Sequence, residues 1–420
     1  MRRPHTLPVP RWLVITALLV LPAATTASPA ADRVTSLTAA LRTNGRPPAA
    51  AVAQLLDTHD LVIFDDAVHD SHEPWLFYQA LVRAPDFQRR AKWIFLETLP
   101  VTAQPELDRY VQAPAKDLTL LEHAFQDDYS GTGWPFQDTL DLIEAIRQVN
   151  QTLPPGERLH CVAVSPPIYW EALHTRSDYD RFLTTLDGRD YAMYLTIRTQ
   201  LDNFQSGRKG IFLTNTRHAY NNLRTRDGRT AWNTAAFFHH WDAGKTCSVR
   251  IHNLALQLTP SAAPAGGPRS AQGLDGYTLA WVRLDGGAWD AAFAQHGNTP
   301  VAIALAGTPF AATPFVGPGA QSAAADLTLG ELYDATVFLA PVDRLHVSAR
   351  TVFYMTPAFR RELKRRLDVL NPGAGDLHAS CGVDSADACV TKLAVPTGVA
   401  PAQREPQASA PPSSPSPHPR

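Results

Sequence analysis

The chain has 420 residues, a formal charge of −2 and four cysteines. A nearly neutral chain with a single short basic cluster, at 360–366, is not expected to bind nucleic acid. Four cysteines are too few for a fold held together mainly by disulfides, and the length favours one large domain.

The N-terminal segment has the three parts of a secretory signal peptide. Arg2, Arg3 and Arg11 give a positive start, residues 12–21 are apolar, and small residues lead to a cleavage point after Ala27. Cleavage three residues later fits nearly as well. The apolar run has about ten residues, whereas about 20 are needed to span a bilayer, which disfavours the alternative of an uncleaved anchor. We therefore expect signal peptide 1–27, export to the periplasm or the medium, and no membrane span after cleavage.

Seven short apolar runs, rich in β-branched or aromatic residues, predict strands. Their apolar character is continuous rather than alternating, which indicates strands that are covered on both faces. The runs are Leu61–Phe64, Trp93–Leu96, Leu159–Val164, Ile211–Thr214, Cys247–Leu254, Val301–Leu305 and Ala335–Ala340.

Amphipathic stretches of helical length separate these runs, at Pro74–Val82, Thr139–Val149 and Asp190–Gln205. The alternation predicts a single α/β domain over 34–395, with a mostly parallel central sheet flanked by helices on both faces. In open sheets of this kind ligands bind beyond the carboxyl ends of the strands, so the active-site cleft is expected there.

The other features of the chain lie outside this pattern. The Pro-, Ala- and Gly-rich segment 259–273 predicts a surface loop, and the Pro- and Ser-rich segment 399–420 predicts a disordered tail. Cys381 and Cys389, eight residues apart, predict a local disulfide after export. Cys161 and Cys247 lie in apolar strand-like runs and are either buried free thiols or a cross-strand pair.

Acidic residues and histidines follow three of the predicted strands. Asp66, His69 and Glu73 follow the first strand, Glu97 ends the second, and His218 follows the fourth. Because the carboxyl ends of parallel strands share one edge of a sheet, we expect these side chains to meet. A carboxylate in the position of Glu97 would be largely desolvated, so it needs a charged partner or a raised pKa.

This set of side chains is compatible with two kinds of chemistry. A histidine flanked by carboxylates can act as a general base on water. Two histidines and two carboxylates can also bind a metal, although the chain has no HExxH motif to fix a zinc site. Serine nucleophile chemistry lacks support, because the chain has no GxSxG motif and Ser165 is followed by two prolines.

The order of these motifs resembles the erythromycin esterase-like proteins and, more loosely, the haem-binding Tiki/ChaN-like group. The family's first motif, Gly-Glu-x-x-His-Gly-x-x-Glu, falls on residues 65–73. Asp65, Asp66 and Asp70 stand where the family has Gly, Glu and Gly, and the histidine and last glutamate of the motif are kept as His69 and Glu73.

Three further motifs extend the resemblance over about residues 60–222. The strand-end acid of the family falls on Glu97, and its Arg-Asp-x-x-Met segment falls on 189–193, beginning with Arg189. Its His-Asn-x-His motif falls on 215–218, where Asn215 replaces the first histidine and His218 keeps the last. The shortened acid and the missing histidine indicate a diverged hydrolase or an inactive descendant.

The resemblance implies an α/β fold with a deep cleft and three alternative activities. In the esterase branch the first-motif histidine activates water against a macrolide lactone. In the Tiki branch equivalent residues serve a metal-dependent protease, and in the ChaN branch the cleft binds haem.

Our first hypothesis is a hydrolase of a small-molecule ester or lactone that requires no cofactor. His69 is then the general base, Asp66 orients it, and Glu97 and Glu73 poise charge and bind water.

The hypothesis assigns stabilisation of the substrate carbonyl to two further side chains. His218 and Arg189 polarise the carbonyl or stabilise the oxyanion. The alternatives are a haem- or iron-binding protein with His69 or His218 as axial ligand, a metal-dependent peptidase, and a catalytically inactive protein.

Overall fold

The structure is a computed structural model that describes residues 29–252, 254–260, 277–371, 377 and 381–402. Its strands are β1 (Leu61–Asp65), β2 (Trp93–Pro100), β3 (His160–Ser165), β4 (Gly210–Thr214), β5 (Thr246–Ile251), β6 (Ala255–Pro260), β7 (Tyr277–Val282), β8 (Val301–Ala304), β9 (Ala335–Phe338), β10 (His346–Val347) and β11 (Ala400–Pro401).

Helices surround these strands along the whole described chain. They are α1 (Pro29–Asn44), α2 (Pro48–Thr58), α3 (His72–Arg83), α4 (Pro85–Arg90), α5 (Gln104–Gln112), α6 (Glu122–Gln126), α7 (Gln137–Asn150), α8 (Arg176–Thr185), α9 (Arg189–Gln200), α10 (Thr234–Trp241), α11 (Ala288–Gln295), α12 (Leu329–Leu332), α13 (Pro357–Leu370) and a last described helix, Ala386–Leu393.

Seven strands form the central sheet, in the order β3-β2-β4-β1-β5-β9-β8. All seven predicted apolar runs contribute one strand each. Every neighbouring pair is parallel except β8 and β9, which are antiparallel. The predicted α/β class with a mostly parallel sheet is therefore confirmed. Two short antiparallel pairs, β6 with β7 and β10 with β11, lie outside this sheet.

The central strand β1 explains why these runs are continuously apolar. Leu61 and Ile63 belong to the core on one face of the sheet, whereas Val62 and Phe64 belong to the core on the other face. Successive side chains of a strand point to opposite faces, so a strand covered by helices on both sides needs an apolar residue at every position.

The predicted helices correspond to α3, α7 and α9, but α9 ends earlier than expected. The amphipathic pattern predicted a helix up to Gln205, whereas α9 ends at Gln200. Asp202, Asn203 and Phe204 follow with φ values of 53°, 52° and 62°. A left-handed backbone cannot continue a right-handed helix, so the predicted helix end lies about one turn too late.

The cysteine predictions are resolved within the described chain. Cys381 and Cys389 form the predicted disulfide. Cys161 and Cys247 are buried free thiols in β3 and β5, and three strands lie between them in the sheet, so the alternative of a cross-strand pair is wrong.

Three predicted segments fall wholly or largely outside the described residues. The signal peptide 1–27 lies outside them, as do 261–273 of the predicted loop and 403–420 of the predicted tail. Thr259 and Pro260 belong to β6, so the strand extends two residues into the segment predicted as a loop. None of the helices within the described ranges is long and apolar enough to cross a membrane.

Candidate active site

The site lies where β1, β2 and β4 end, at neighbouring positions in the sheet. Asp66 directly follows β1, Glu97 lies inside the carboxyl-terminal half of β2, and His218 lies in the 3₁₀ turn that follows β4. Since β4 is hydrogen-bonded to both β1 and β2, the three strand ends deliver these side chains to one place, as the sequence predicted.

The turn between β1 and α3 positions His69. Asp65 is fully buried and accepts hydrogen bonds from the Ala67 amide at 2.7 Å and the Thr216 hydroxyl at 3.0 Å. Ala67 has a φ of 62°, and the indole N–H of Trp75 donates to the His69 carbonyl at 2.9 Å. The turn is therefore fixed by two contacts, the hydrogen bond of Ala67 to Asp65 and the hydrogen bond of Trp75 in α3 to His69.

The His69 ring is held between two carboxylates. Its Nδ1 lies 2.7 Å from Oδ2 of Asp66, and its Nε2 bonds to Oε2 of Glu97. The side chain of His69 is 11% exposed, whereas Asp66 is fully buried and Glu97 almost so. An ionised carboxylate can only accept a hydrogen bond, so both ring nitrogens must donate and the ring is an imidazolium.

The pKa shifts agree with this arrangement. Burial disfavours the charged ring, but Asp66 and Glu97 together outweigh burial and raise the pKa of His69 to about 10. Burial raises the pKa of Asp66 to about 6 in spite of the favourable charge of His69. Burial also opposes ionisation of Glu97, yet Arg189 and His69 hold its pKa well below the usual range.

Arg189 is the second cation of the cluster and comes from the first residue of α9. Its Nη2 donates to Oε1 of Glu97 and, at 2.9 Å, to the hydroxyl of Ser165 at the end of β3. That hydroxyl in turn donates to the Glu97 carbonyl. Ser165 therefore orients the guanidinium that pairs with Glu97, which is a positioning role and not a nucleophilic one.

His218 is paired with an acid from α9. Its Nδ1 lies 2.7 Å from Oδ1 of Asp190, and the same oxygen accepts the amide and the hydroxyl of Thr234, both at 2.7 Å. The other ring nitrogen, Nε2, lies 3.7 Å from Oε1 of Glu97. Burial opposes ionisation of Asp190, but His218 and Thr234 outweigh it and lower the pKa of Asp190.

Two aromatic rings from the segment between α6 and α7 border the cations. Trp134 contacts His69 edge to face, with ring centroids 5.5 Å apart, and its indole donates to the Thr139 hydroxyl at 2.9 Å. The Tyr129 ring lies 4.7 Å from the Arg189 guanidinium carbon. The contact of Arg189 with the face of Tyr129 is favourable for a cation, since that face carries the negative part of the ring's charge distribution.

The 3₁₀ turn after β4 brings two further polar residues to the cluster. Nδ2 of Asn215 lies 3.4 Å from Nε2 of His69, so the residue that replaces the family's first histidine still contacts the site. Burial and the Arg189 charge lower the pKa of Arg217, while Glu97 opposes this shift.

Glu73 is not brought into this cluster. It lies in the first turn of α3, as predicted, but its carboxylate accepts hydrogen bonds from the His346 amide at 3.1 Å and from Nδ1 of its ring at 2.8 Å. The neighbouring His72 turns to Asp138, at 2.8 Å. The first turn of α3 points these side chains towards β10 and α7, away from the ends of β2 and β4, so the expectation that Glu73 shares the pocket is corrected.

Five of the six predicted site residues thus meet, and sequence reasoning missed several of their partners. Asp190 lies beside Arg189 in the Arg-Asp-x-x-Met segment, and the sequence alone gives it no role. The sequence speaks only against Ser165 as a nucleophile, although a serine that ends an apolar strand is also a candidate for a buried hydrogen bond. The other missed partners, Tyr129, Trp134 and Thr234, lie in irregular segments or at a helix start, where no pattern marked them.

Among the residues that the structure describes, no group of three or more His, Cys, Asp or Glu side chains is arranged to hold a metal ion. The ring nitrogens Nδ1 of His69 and His218 are both directed at carboxylates.

Fold and site together define an α/β protein with a buried imidazole–carboxylate–guanidinium cluster at the carboxyl edge of its sheet. No family model and no curated protein matches the chain. An erythromycin esterase variant, solved in its open conformation, is 12% identical and covers 69% of this chain and 92% of its own, with a TM-score of 0.46.

Two other solved structures are similar over more of the chain. A Bacillus cereus protein is 12% identical, covers 74% of this chain and 99% of its own, and has a TM-score of 0.48. A succinoglycan biosynthesis protein is 9% identical, covers 74% of this chain and 96% of its own, and also has a TM-score of 0.48. These likenesses concern the course of the backbone, and the chemistry of the site rests on the side chains of this chain.

Proposed function

We propose that this protein is a hydrolase in which an imidazole backed by a carboxylate activates water to attack a small-molecule ester or lactone. The observation that supports the proposal is the buried cluster of two His–Asp pairs around Glu97, His69 with Asp66 and His218 with Asp190. Imidazole–carboxylate pairs at hydrogen-bond distance are the usual means by which proteins transfer the protons of water near neutral pH.

The positive charges of the cluster suit the second requirement of ester hydrolysis. Attack of water on a carbonyl carbon develops negative charge on the carbonyl oxygen, and fixed donors stabilise that charge best where water is excluded. Arg189 supplies such donors and His69 supplies a fixed positive charge, and both are largely buried and held in place by Glu97. Neither needs to reorient while the charge develops.

The sequence assigned the role of general base to His69, and its contacts favour a different role. A ring whose two nitrogens both donate to carboxylates has no lone pair with which to accept a proton from water. We therefore assign His69 to electrostatic stabilisation and to holding Glu97 ionised, with Asp66 fixing its orientation.

The test is hydrolysis of a panel of p-nitrophenyl esters of increasing acyl length together with aliphatic and macrocyclic lactones. We expect turnover by the wild type on part of the panel. His69→Gln and Glu97→Gln should each lower kcat/KM by about 10²-fold or more, because the first removes a fixed positive charge and the second removes the carboxylate that holds both cations in place.

The matched control is His123→Gln. This histidine also lies between two carboxylates, at 3.2 Å from Glu106 and 3.1 Å from Asp127, but outside the cluster and on the surface. The His123→Gln variant should hydrolyse the panel with the kcat/KM of the wild type. Equal activity of wild type and His69→Gln would contradict the proposal. A wild type that is inert on every substrate would contradict it as well.

A further inference from the structure

The two histidines of the cluster differ in how their ring nitrogens are engaged. Both nitrogens of His69 bond to carboxylates, whereas only Nδ1 of His218 does. Nε2 of His218 is buried and has no hydrogen-bond partner among the residues that the structure describes. Oε1 of Glu97 lies 3.7 Å from it, which is beyond hydrogen-bond distance.

The surroundings of Asp190 fix the position of the proton on the His218 ring. Oδ1 of Asp190 accepts the amide and hydroxyl hydrogens of Thr234 and also faces Nδ1 of His218. An oxygen that accepts from three sides cannot itself be the donor, so the proton of this contact lies on Nδ1. In the neutral ring, Nε2 then carries the lone pair and is the basic nitrogen.

The basic nitrogen faces the centre of the cluster. Nε2 of His218 is directed towards the Glu97 oxygen that also accepts from Arg189. Nε2 is closed to solvent in this structure, so a water molecule reaches it only when the site opens. Such a water would donate one hydrogen to Nε2 and the other to Glu97, which leaves its oxygen lone pairs free to attack a substrate carbonyl. The Arg189 guanidinium donates to the same Glu97 oxygen, so its positive charge belongs to the same small cluster.

We propose that His218, and not His69, is the general base of this site, and that Asp190 is the residue that positions it. The inference rests on the proposed hydrolase function and names the group that takes the proton. As the water oxygen bonds to the carbonyl carbon, one water proton moves to Nε2 of His218 and the carbonyl electron pair moves to the oxygen. When the C–O bond to the leaving group breaks, the alkoxide takes the proton from Nε2, which yields an acid and an alcohol and restores the neutral ring.

The kinetic arm of the test compares His218→Gln, His69→Gln and the His123→Gln control on the substrates that the wild type hydrolyses. Loss of a general base should lower kcat by about 10²- to 10⁴-fold with a much smaller change in KM. His218→Gln within threefold of the wild-type kcat would overturn the inference and leave the hydrolase proposal standing. A wild type inert on the panel would contradict both.

The spectroscopic arm does not depend on turnover. Selective ¹⁵N labelling of histidine and long-range ¹H–¹⁵N correlation spectra at pH 7.5, assigned by the same variants, report which nitrogens are protonated. We expect His218 to carry its proton on Nδ1 alone and His69 to carry protons on both nitrogens. A His218 ring protonated on Nε2, or on both nitrogens, would overturn the inference whatever the kinetics show.

The role of Asp190 is tested by two substitutions. Asp190→Asn keeps a side-chain oxygen that can accept hydrogen bonds from Thr234 and from Nδ1 of His218. The tautomer of His218 should therefore be retained, and kcat should fall less than in Asp190→Ala. Asp190→Ala removes the acceptor, so the proton should redistribute to Nε2 and kcat should fall at least ten times further than in Asp190→Asn. Equal loss in both variants with an unchanged His218 tautomer would contradict the positioning role.

Discussion

Charges of opposite sign surround Glu97, which is the centre of the cluster. One of its oxygens bonds to His69 and the other to Arg189, and the latter oxygen also faces His218. Burial alone would raise the pKa of Glu97, and the cations around it reverse that effect. Removing Glu97 would leave two buried cations without the charge that compensates them.

Glu97→Ala should therefore lower the free energy of unfolding by about 3–5 kcal/mol, the cost of breaking a buried ion pair from one side. The matched control is Glu157→Ala, because Glu157 pairs with Lys92 but its side chain is 60% exposed. A surface pair contributes about 0–1 kcal/mol, so the control should stay close to wild type. Urea denaturation followed by circular dichroism measures both, and equal losses in the two variants would show that the buried charges are not coupled.

The raised pKa of His69 makes a second prediction, on stability against pH. An imidazole in the unfolded chain loses its proton near pH 6.5, whereas His69 in the folded state keeps it until pH about 10. Between these values the folded state binds one proton more, so the free energy of unfolding falls as the pH rises, by at most about 1.4 kcal/mol per pH unit.

Urea denaturation of wild type and His69→Gln at pH 7, 8 and 9 measures this contribution as the difference in slope. The wild type should lose stability over this range faster than the variant. Hydrogen bonds to Asp127 and Glu106 raise the pKa of His123 to about 10 as well, so the decline is compared between wild type and His69→Gln only. Parallel curves for wild type and His69→Gln would show that His69 is not a buried cation.

The residues of the site could be predicted to the extent that they end strands. Asp66, Glu97 and His218 were found because a polar residue at the end of an apolar run is conspicuous in the sequence. Asp190 was not assigned, because an acid in the first turn of a helix is ordinary on its own. Its role depends on Thr234, more than 40 residues away along the chain, and no local pattern reports such a contact.

At the scale of secondary structure, the apolar runs were enough to locate the strands but not their directions. Residues 301–305 and 335–340 are equally apolar, and only the structure shows that β8 runs antiparallel to β9. The end of α9 was missed for a similar reason, since the three left-handed residues after it are Asp, Asn and Phe and include no glycine to mark the break.

The turn between β1 and α3 provides a third prediction. Ala67 has a φ of 62° and is almost fully buried, and the left-handed region costs an L-residue with a side chain about 1–2 kcal/mol. Ala67→Gly relieves this cost but adds freedom to the unfolded chain, worth about 0.5–1 kcal/mol. We expect the glycine variant to be as stable as wild type or up to about 1 kcal/mol more stable.

Ala67→Val is the matched comparison for this turn. A β-branched side chain is strongly disfavoured at positive φ, so this variant should lose about 2 kcal/mol or more. It should also lose the proposed hydrolase activity, because the turn carries Asp66 and His69. Thermal and urea denaturation of both variants test the prediction, and a valine variant more stable than the glycine variant would contradict the backbone geometry at Ala67.

For the molecule as a whole, the sheet separates two apolar cores, and the N-terminal helix α1 completes one of them. Leu37 and Leu41 of α1 are fully or almost fully buried in the core that also contains Trp289 of α11. Arg33 ties the same helix to distant parts of the chain, bonding to Asp285 at 2.6 Å and to the Pro309 carbonyl at 2.8 Å. Since α1 begins at Pro29, the described fold starts just after the predicted cleavage point.

We propose that residues 1–27 are removed on export and that α1, which follows them, is part of the mature fold. A chain that starts at Ser28 keeps all of α1. Its denaturation midpoint should equal that of the protein recovered from the export fraction of an expressing host. Mass spectrometry of the N-terminus of the exported protein should place the cleavage after Ala27 or Ala30.

A chain that starts at Arg46 loses both buried leucines. Each is worth about 2–5 kcal/mol, so the loss approaches the whole stability of a typical domain and this chain should unfold or aggregate. A stable, folded chain starting at Arg46 would show that α1 is dispensable, and a midpoint lowered by starting at Ser28 would show that the fold needs residues that the proposal assigns to the signal peptide.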